Sequence, residues 1–325
     1  MIVVTGGAGF IGSAIVWKLN NEGRGDIVIV DRLGETSKWK NLVNRTYAEY
    51  LHKKDFLNMI LADRVPFPVE TIIHMGACSS TTERDADYLM ENNYRYSRHV
   101  AEWAASHDVR FLYASSAATY GDGTRGFSDD NDVTPVLQPI NMYGYSKQLF
   151  DLWVLRNGLD KRFVGIKFFN VFGPNEYHKG DMRSVVHKAA SQIGETGGMK
   201  LFRSHRPDFN DGEQLRDFVY VKDCVDVIWW FLRERTISGI FNLGTGRART
   251  WNDLAGAVFS ALNKPVHIEY IDMPASIRDQ YQYFTEAPLE KLRAAGCPVV
   301  FRSLEDAASD YVGTYLAAGE KTLEK

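Results

Sequence analysis

The sequence predicts a doubly wound α/β fold: a parallel, Rossmann-type sheet covered on both faces by helices, with a smaller C-terminal substrate-binding lobe. Three observations predict it. Through the first two-thirds of the 325 residues, short runs rich in β-branched and aromatic residues alternate with helical stretches. Those runs are near-continuously apolar, as strands buried on both faces are. The first run passes directly through a glycine-rich turn into a helix, which is how such folds begin.

The strand runs fall at 2–5, 27–30, 71–74, 111–115 and 164–169. Helices are expected between them at 11–20, 86–105 and 143–156, and the β-α-β-α order implies parallel pairing with helical crossovers. From about residue 175 the regularity weakens. The polar stretch 202–214 reads as a loop, with short strands expected at 218–221 and 240–243 and helices at 223–232 and 252–262. Residues 1–175 are therefore assigned to a dinucleotide-binding domain, to which 218–250 returns, and 176–325 mainly to a substrate-binding lobe. The tail after about Gly313 is expected to fray.

Composition narrows the function. With 45% hydrophobic and 24% charged residues the chain has the balance of an ordinary globular protein, and its formal charge of −3 is spread along the sequence. No basic stripe is present to track nucleic acid. Cys78, Cys224 and Cys297 are far apart with no metal-ligand spacing, so no metal is expected and the thiols read as reduced and cytosolic. Met1 leads straight into Ile2-Val3-Val4 with no leader-like region, and no apolar run reaches transmembrane length. A cytoplasmic protein without membrane or nucleic-acid partners is expected.

Gly6-Gly7-Ala8-Gly9-Phe10-Ile11-Gly12 follows the first strand. Glycines at 6, 9 and 12 meet three needs: a tight turn, close approach of a pyrophosphate to the backbone, and helix-on-strand packing, while the helix N-terminus offers unpaired N–H groups. A tight βα turn without a ligand would also use glycine, but Asp31 ends the second strand, where an acid accepts from ribose hydroxyls. Arg32, Lys38 and Lys53 could instead pair with a 2′-phosphate or simply be solvated. A nicotinamide dinucleotide is expected, NADP with NAD as the alternative.

Tyr143 and Lys147 lie four apart, on one face of a helix. A free phenol titrates near ~10, so Tyr143 becomes a useful base only when a neighbouring ammonium and a cationic nicotinamide ring stabilise its phenolate. Ser116, in Ser115-Ser116-Ala117-Ala118-Thr119-Tyr120-Gly121, ends the preceding strand at the ligand-binding edge of the sheet and can hold the reacting oxygen.

Through TGGAGFIG, SSAATYG, YGYSK and FFNVFGP, over nearly its whole length, the chain resembles the extended short-chain dehydrogenase/reductase family of NAD-dependent epimerases and dehydratases. Dehydratases of that family carry an Asp-Glu pair after the active-site Ser/Thr; Ala117 and Ala118 stand there, which disfavours dehydration. The segments 170–180 and 74–82 resemble the ADP-heptose 6-epimerase branch. This resemblance implies transient oxidation at C6 with tightly bound NADP, return of the hydride to the other face, an ADP-heptose substrate for lipopolysaccharide inner-core synthesis, and a second acid/base at Lys179. Without the resemblance Lys179 would read as a solvated or phosphate-binding loop lysine.

The resemblance further carries Met75, Gly76, Ala77, Cys78, Ser79, Asn92, Lys147 and Val171 to the cofactor, beside Phe10 and Ile11. To the sugar nucleotide it carries Ser79, Ser116, Asn170, Asp181, Lys188, Phe202, Arg203, Ser204, His205, Arg216 and Tyr281. Bland alternatives exist: Asn92 could satisfy local backbone groups, Arg216 could form a surface pair with Asp217, and Tyr281 could be a packed aromatic. Cys78 reads as a small filler, His74 and His178 as hydrogen-bonded structure. The chain departs from the branch at Lys167, where an arginine is usual, at Lys188, where a histidine is expected, and in a loop lengthened by 207–214. A homo-oligomer is expected. The runner-up readings are another sugar-nucleotide epimerase such as a UDP-hexose 4-epimerase, and a non-catalytic dinucleotide sensor.

Overall fold

The computed structural model describes residues 1–278 and 281–324. Its centre is a seven-stranded, all-parallel sheet built from β1 (Ile2–Thr5), β2 (Ile27–Asp31), β3 (Glu49–His52), β4 (Thr71–His74), β5 (Arg110–Ser116), β6 (Val164–Phe168) and β11 (Gly239–Leu243). The order β3-β2-β1-β4-β5-β6-β11 reverses direction between β1 and β4. Ligands bind at such a switch point, beyond the C-terminal strand ends. Outside this sheet, β7 (Asn170–Phe172) pairs with β10 (Phe218–Tyr220), β8 (Met199–Phe202) with β13 (Ile268–Ile271), and β9 (Leu215–Arg216) with β12 (Arg249–Thr250).

The pleat explains why the strand runs are apolar throughout. Ile2, Val4, Ile27, Ile29, Ile73 and Leu112 point to one face and join a core with α1 (Phe10–Asn21). Val3, Val28, Val30, Ile72, Phe111 and Tyr113 point to the other, against α2 (Lys53–Leu61). Successive residues of a strand face opposite ways, so a strand covered on both sides must be apolar at every position.

Three details differ from the sequence reading. The run 164–169 is not one strand: β6 ends at Phe168, Phe169 donates its amide to the Leu243 carbonyl, and the chain leaves the main sheet as β7. The helix expected at 86–105 is α3 (Ala86–Leu89) and α4 (Tyr96–Ser106) joined by a π-helical segment, Met90–Arg95. Such π segments occur often at functional positions. The tail does not fray. A π-helical turn spans Asp310–Leu316, Tyr311 and Val312 are buried, and Leu323 has 0% exposure, because the segment has apolar side chains to bury and a groove to receive them.

Candidate active site

Two cavities meet at the C-terminal edge of the sheet. The first, of about 380 Å³, lies over the glycine turn, and the second, of about 500 Å³, lies between the sheet edge and the later lobe. Phe10, Ile11, Ser79 and Lys179 line both.

The glycine turn is a cradle that side chains would fill. Gly6 adopts φ +66°, and a Cβ there would sit 2.7 Å from the Gly76 amide nitrogen; a Cβ on Gly12 would sit 2.1 Å from the Gly6 carbonyl. The N-terminus of α1 has no side-chain cap at Gly9, which leaves N–H groups facing the cavity. These residues fit a dinucleotide pyrophosphate. Asp31 is buried, accepting from the Ala8 amide at 2.9 Å, the Arg32 amide at 2.6 Å and Lys38 Nζ at 2.6 Å. Arg32, Lys38 and Lys53 share this end of the cavity. Burial, and then its cationic neighbours Arg32, Lys38 and Lys54, pull the Lys53 pKa down.

Of the residues expected at the cofactor, Gly6, Gly9, Phe10, Ile11, Gly12, Asp31, Arg32, Lys38, Lys53, Met75, Gly76, Ala77, Ser79 and Asn92 line this cavity. Val171 lines the second cavity instead, and Cys78 and Lys147 line neither. Asn92 accepts from Lys53 Nζ and does not satisfy local backbone. That task falls to Asn93, whose side chain accepts the Cys78 amide at 2.8 Å and donates to the Cys78 carbonyl at 2.9 Å and to Ser146 Oγ at 3.1 Å. Asn93 escaped the sequence reading because its partners are distant in the chain. Thr36, Tyr88, Tyr96 and His178 also line the cavity without having been anticipated there. Burial, then Lys38 and Lys179, holds His178 at about 4, so it is neutral near pH 7. His74 is spent on Thr5 Oγ1 (2.7 Å) and Ser97 Oγ (2.8 Å).

In the second cavity, Tyr143 is the second residue of α5 (Met142–Arg156), which Asn141 caps by accepting the Gly144 amide at 2.8 Å. Gly144 lets this helix press on the Ser116 turn: a Cβ there would come within 2.5 Å of the Ala118 carbonyl. The close approach sets the Tyr143 phenol facing Ser116. Burial raises the Tyr143 pKa and the Ser116 hydroxyl opposes the rise. Lys147 is buried one turn on; its Nζ donates to the Ala114 carbonyl at 2.9 Å, and desolvation brings its pKa down to about 8 against the pull of Asp151.

Lys179 enters from a short 3₁₀ segment, Tyr177–Met182, its ammonium 5.4 Å from the centre of the Phe10 ring. Burial lowers its pKa, and Glu176 opposes the shift. Arg216 is buried and stacked between Trp251 and Tyr281, at 5.6 and 5.3 Å. It forms no surface pair with Asp217, whose own carboxylate is enclosed by the amides of Thr245, Gly246 and Ala287. Lys179, Arg183 and Arg216 line the cavity, and no carboxylate is among its described lining residues. A wall of this kind suits an anionic, phosphate-bearing ligand.

Of the residues assigned in advance to the sugar nucleotide, Ser79, Ser116, Asn170, Arg216 and Tyr281 line this cavity, and Asp181, Lys188, Phe202, Arg203, Ser204 and His205 do not. Lys188 is exposed and donates to the Asp181 carbonyl at 2.6 Å. Phe202 sits behind Tyr281, edge-on at 6.5 Å. Trp251 and Gln282 line the wall and were missed, since neither belongs to a local motif. Lys167 is off the wall altogether. It is fully buried, 2.9 Å from Asp151 and donating to Thr119 Oγ1 at 2.8 Å, so this departure from the branch is a structural ion pair.

Residues 2–244 match the NAD dependent epimerase/dehydratase family. The chain is 60% identical to the ADP-L-glycero-D-manno-heptose-6-epimerase of Nitratidesulfovibrio vulgaris (strain DP4), over 99% of this chain and 100% of the relative. It is 47% identical to the enzyme of that name from Fusobacterium nucleatum, with the same coverage. Among solved structures it is similar to the Helicobacter pylori ADP-L-glycero-D-manno-heptose-6-epimerase, with 28% identity, a TM-score of 0.80, and 96% and 95% of the two chains covered. The fold is also that of the Thermus thermophilus UDP-glucose 4-epimerase in complex with NAD, at 23% identity and a TM-score of 0.76, covering 96% of this chain and 97% of the other.

Proposed function

The chain belongs to the NAD-dependent epimerase/dehydratase family, and from that premise we propose that it is an NADP-dependent ADP-heptose 6-epimerase, interconverting the D-glycero and L-glycero forms of ADP-manno-heptose for lipopolysaccharide inner-core synthesis in the cytoplasm. The observation that carries the reading is one cation-walled cavity, with no carboxylate among its described lining residues, that is lined by both Tyr143 and Lys179 and opens onto the dinucleotide cradle. Residues 1–175 with 218–250 hold the dinucleotide; the later lobe holds the sugar nucleotide.

A dinucleotide held over Gly6, Gly9 and Gly12 would supply the redox chemistry, as acceptor and then donor of the hydride at C6. The chain's own residues manage the proton. Tyr143 Oη takes it from the C6 hydroxyl on one face, with Ser116 Oγ holding the oxygen. Burial alone would keep the phenol protonated at neutral pH, so the Lys147 ammonium is needed to favour the phenolate. Lys179 Nζ does the same work for the opposite epimer, and burial, which lowers its pKa, favours its acting as a base. Arg216 and Arg183 hold the diphosphate. Ala117 and Ala118 bring no acid for water removal, which separates this site from a dehydratase.

For the cofactor, the grouping of Arg32, Lys38 and Lys53 supports NADP: Asp31 pairs with Lys38, and a 2′-phosphate would pair with the remaining cations. Asp31, held by three donors, is less available to a ribose. NADP should bind more tightly than NAD, and equal affinity would remove this part of the proposal. The main test is incubation with ADP-D-glycero-D-manno-heptose in deuterated water, following C6 by NMR. Inversion without deuterium at C6 is expected. No inversion sinks the substrate assignment, and deuterium at C6 sinks direct return of the substrate's own hydrogen.

A further inference from the structure

The loop carrying Lys179 has little to hold it in itself. It is a 3₁₀ segment of six residues interrupted at Gly180 (φ 55°), a kind of structure with weak internal hydrogen bonding. Its placement comes from outside, and the hub is Asn175. This residue is fully buried, with a left-handed backbone of φ 78°. Its Nδ2 donates to Ser13 Oγ on α1 at 2.9 Å, and its Oδ1 accepts the Leu323 amide at 2.9 Å. Its carbonyl accepts from Asn41 Nδ2 at 3.0 Å, and the same Asn41 nitrogen donates to the Ala8 carbonyl in the glycine turn at 3.0 Å. The Asn175 side chain thus ties α1 and the segment 317–324 to the start of the Lys179 loop, and its backbone carbonyl links the loop through Asn41 to the glycine turn.

That segment is also anchored to the loop, to the helix after it and to α1. Tyr177 donates its hydroxyl to the Lys321 carbonyl at 2.6 Å, Glu320 lies 2.8 Å from His187 Nε2, and Trp17 Nε1 of α1 donates to the Glu324 carbonyl at 2.7 Å. At the loop's other end the buried Glu176 carboxylate accepts the Ser184 hydroxyl at 2.6 Å.

We propose that segment 317–324 is a positioning element of the reaction: through Asn175 it latches the loop that presents Lys179 to the cavity, so residues some 140 positions downstream of Lys179 set the geometry of the second acid/base group. This rests on the role given to Lys179 above.

Two variants test it: the chain ended at Gly319, and Asn175→Gly, which keeps the left-handed backbone without strain while removing the side-chain bonds. In each, kcat for interconversion should fall on the order of 10- to 100-fold, the loss expected of a misplaced catalytic group. KM and bound cofactor should stay within about twofold, and amide exchange across 175–184 should accelerate. In a Lys179→Met background neither change should lower kcat further, because the group they position is already gone. An equal loss of kcat in that background overturns the proposal, as does unchanged exchange across 175–184. If Lys179→Met itself leaves kcat unchanged, the acid/base role of Lys179 fails, and the exchange measurement alone then decides the latch.

Discussion

Lys167→Met removes one charge from a buried pair while nearly conserving side-chain length. Lys167 and Asp151 both have 0% exposure and stand 2.9 Å apart. At an effective dielectric of ~20 their attraction is about 6 kcal/mol. The variant leaves Asp151 with two neutral donors, Tyr113 OH at 3.1 Å and Ser115 Oγ at 2.7 Å. Truncating one partner of such a pair costs about 3–5 kcal/mol, since the remaining charge stays buried. Urea unfolding followed by tryptophan fluorescence should show a loss in that range. Asp151→Asn combined with Lys167→Met should recover at least about half of it, because no unpaired charge remains. A single-variant loss under about 1 kcal/mol, or strict additivity in the double variant, would refute the reasoning.

Gly12→Ala should abolish dinucleotide binding, because its Cβ would meet the Gly6 carbonyl at 2.1 Å; retention of cofactor through gel filtration would contradict this. Tyr143→Phe should cut kcat by ~10²–10⁴-fold with cofactor still bound, and unchanged turnover would remove its assigned role. Lys147 carries its ammonium below about pH 8 and loses it as pH rises through that value, so kcat/KM should fall on the alkaline side near pH 8. Lys147→Arg should move that limb upward, and a limb at the same pH would assign it to another group. Arg216→Met should raise KM for the sugar nucleotide while sparing cofactor binding, which titration of both ligands would check.

What the sequence by itself determined is what local pattern encodes. Apolar runs at 2–5, 27–30, 71–74 and 111–115 became strands of one parallel sheet because a strand buried on both faces must be apolar at every position. The glycines at 6, 9 and 12 and the Tyr143/Lys147 spacing were legible because each need, a tight turn or a shared helix face, is met within a few residues. Tertiary structure decided what depends on partners far along the chain. Asn93, not Asn92, secures Cys78 across fifteen positions. Lys167 is an ion-pair member and not a ligand-facing cation, because Asp151, on α5, stands 2.9 Å from its ammonium. Arg216 is turned from Asp217 into a cavity between Trp251 and Tyr281. The tail, with no strong periodicity of its own, is ordered by the groove that receives Leu323 and by the amide that Asn175 accepts. Residues 317–324 bond back to the preceding helical turn through the amides of Ala317, Gly319 and Lys321, and outward to α1 and the Lys179 loop, partners that only the folded chain brings together.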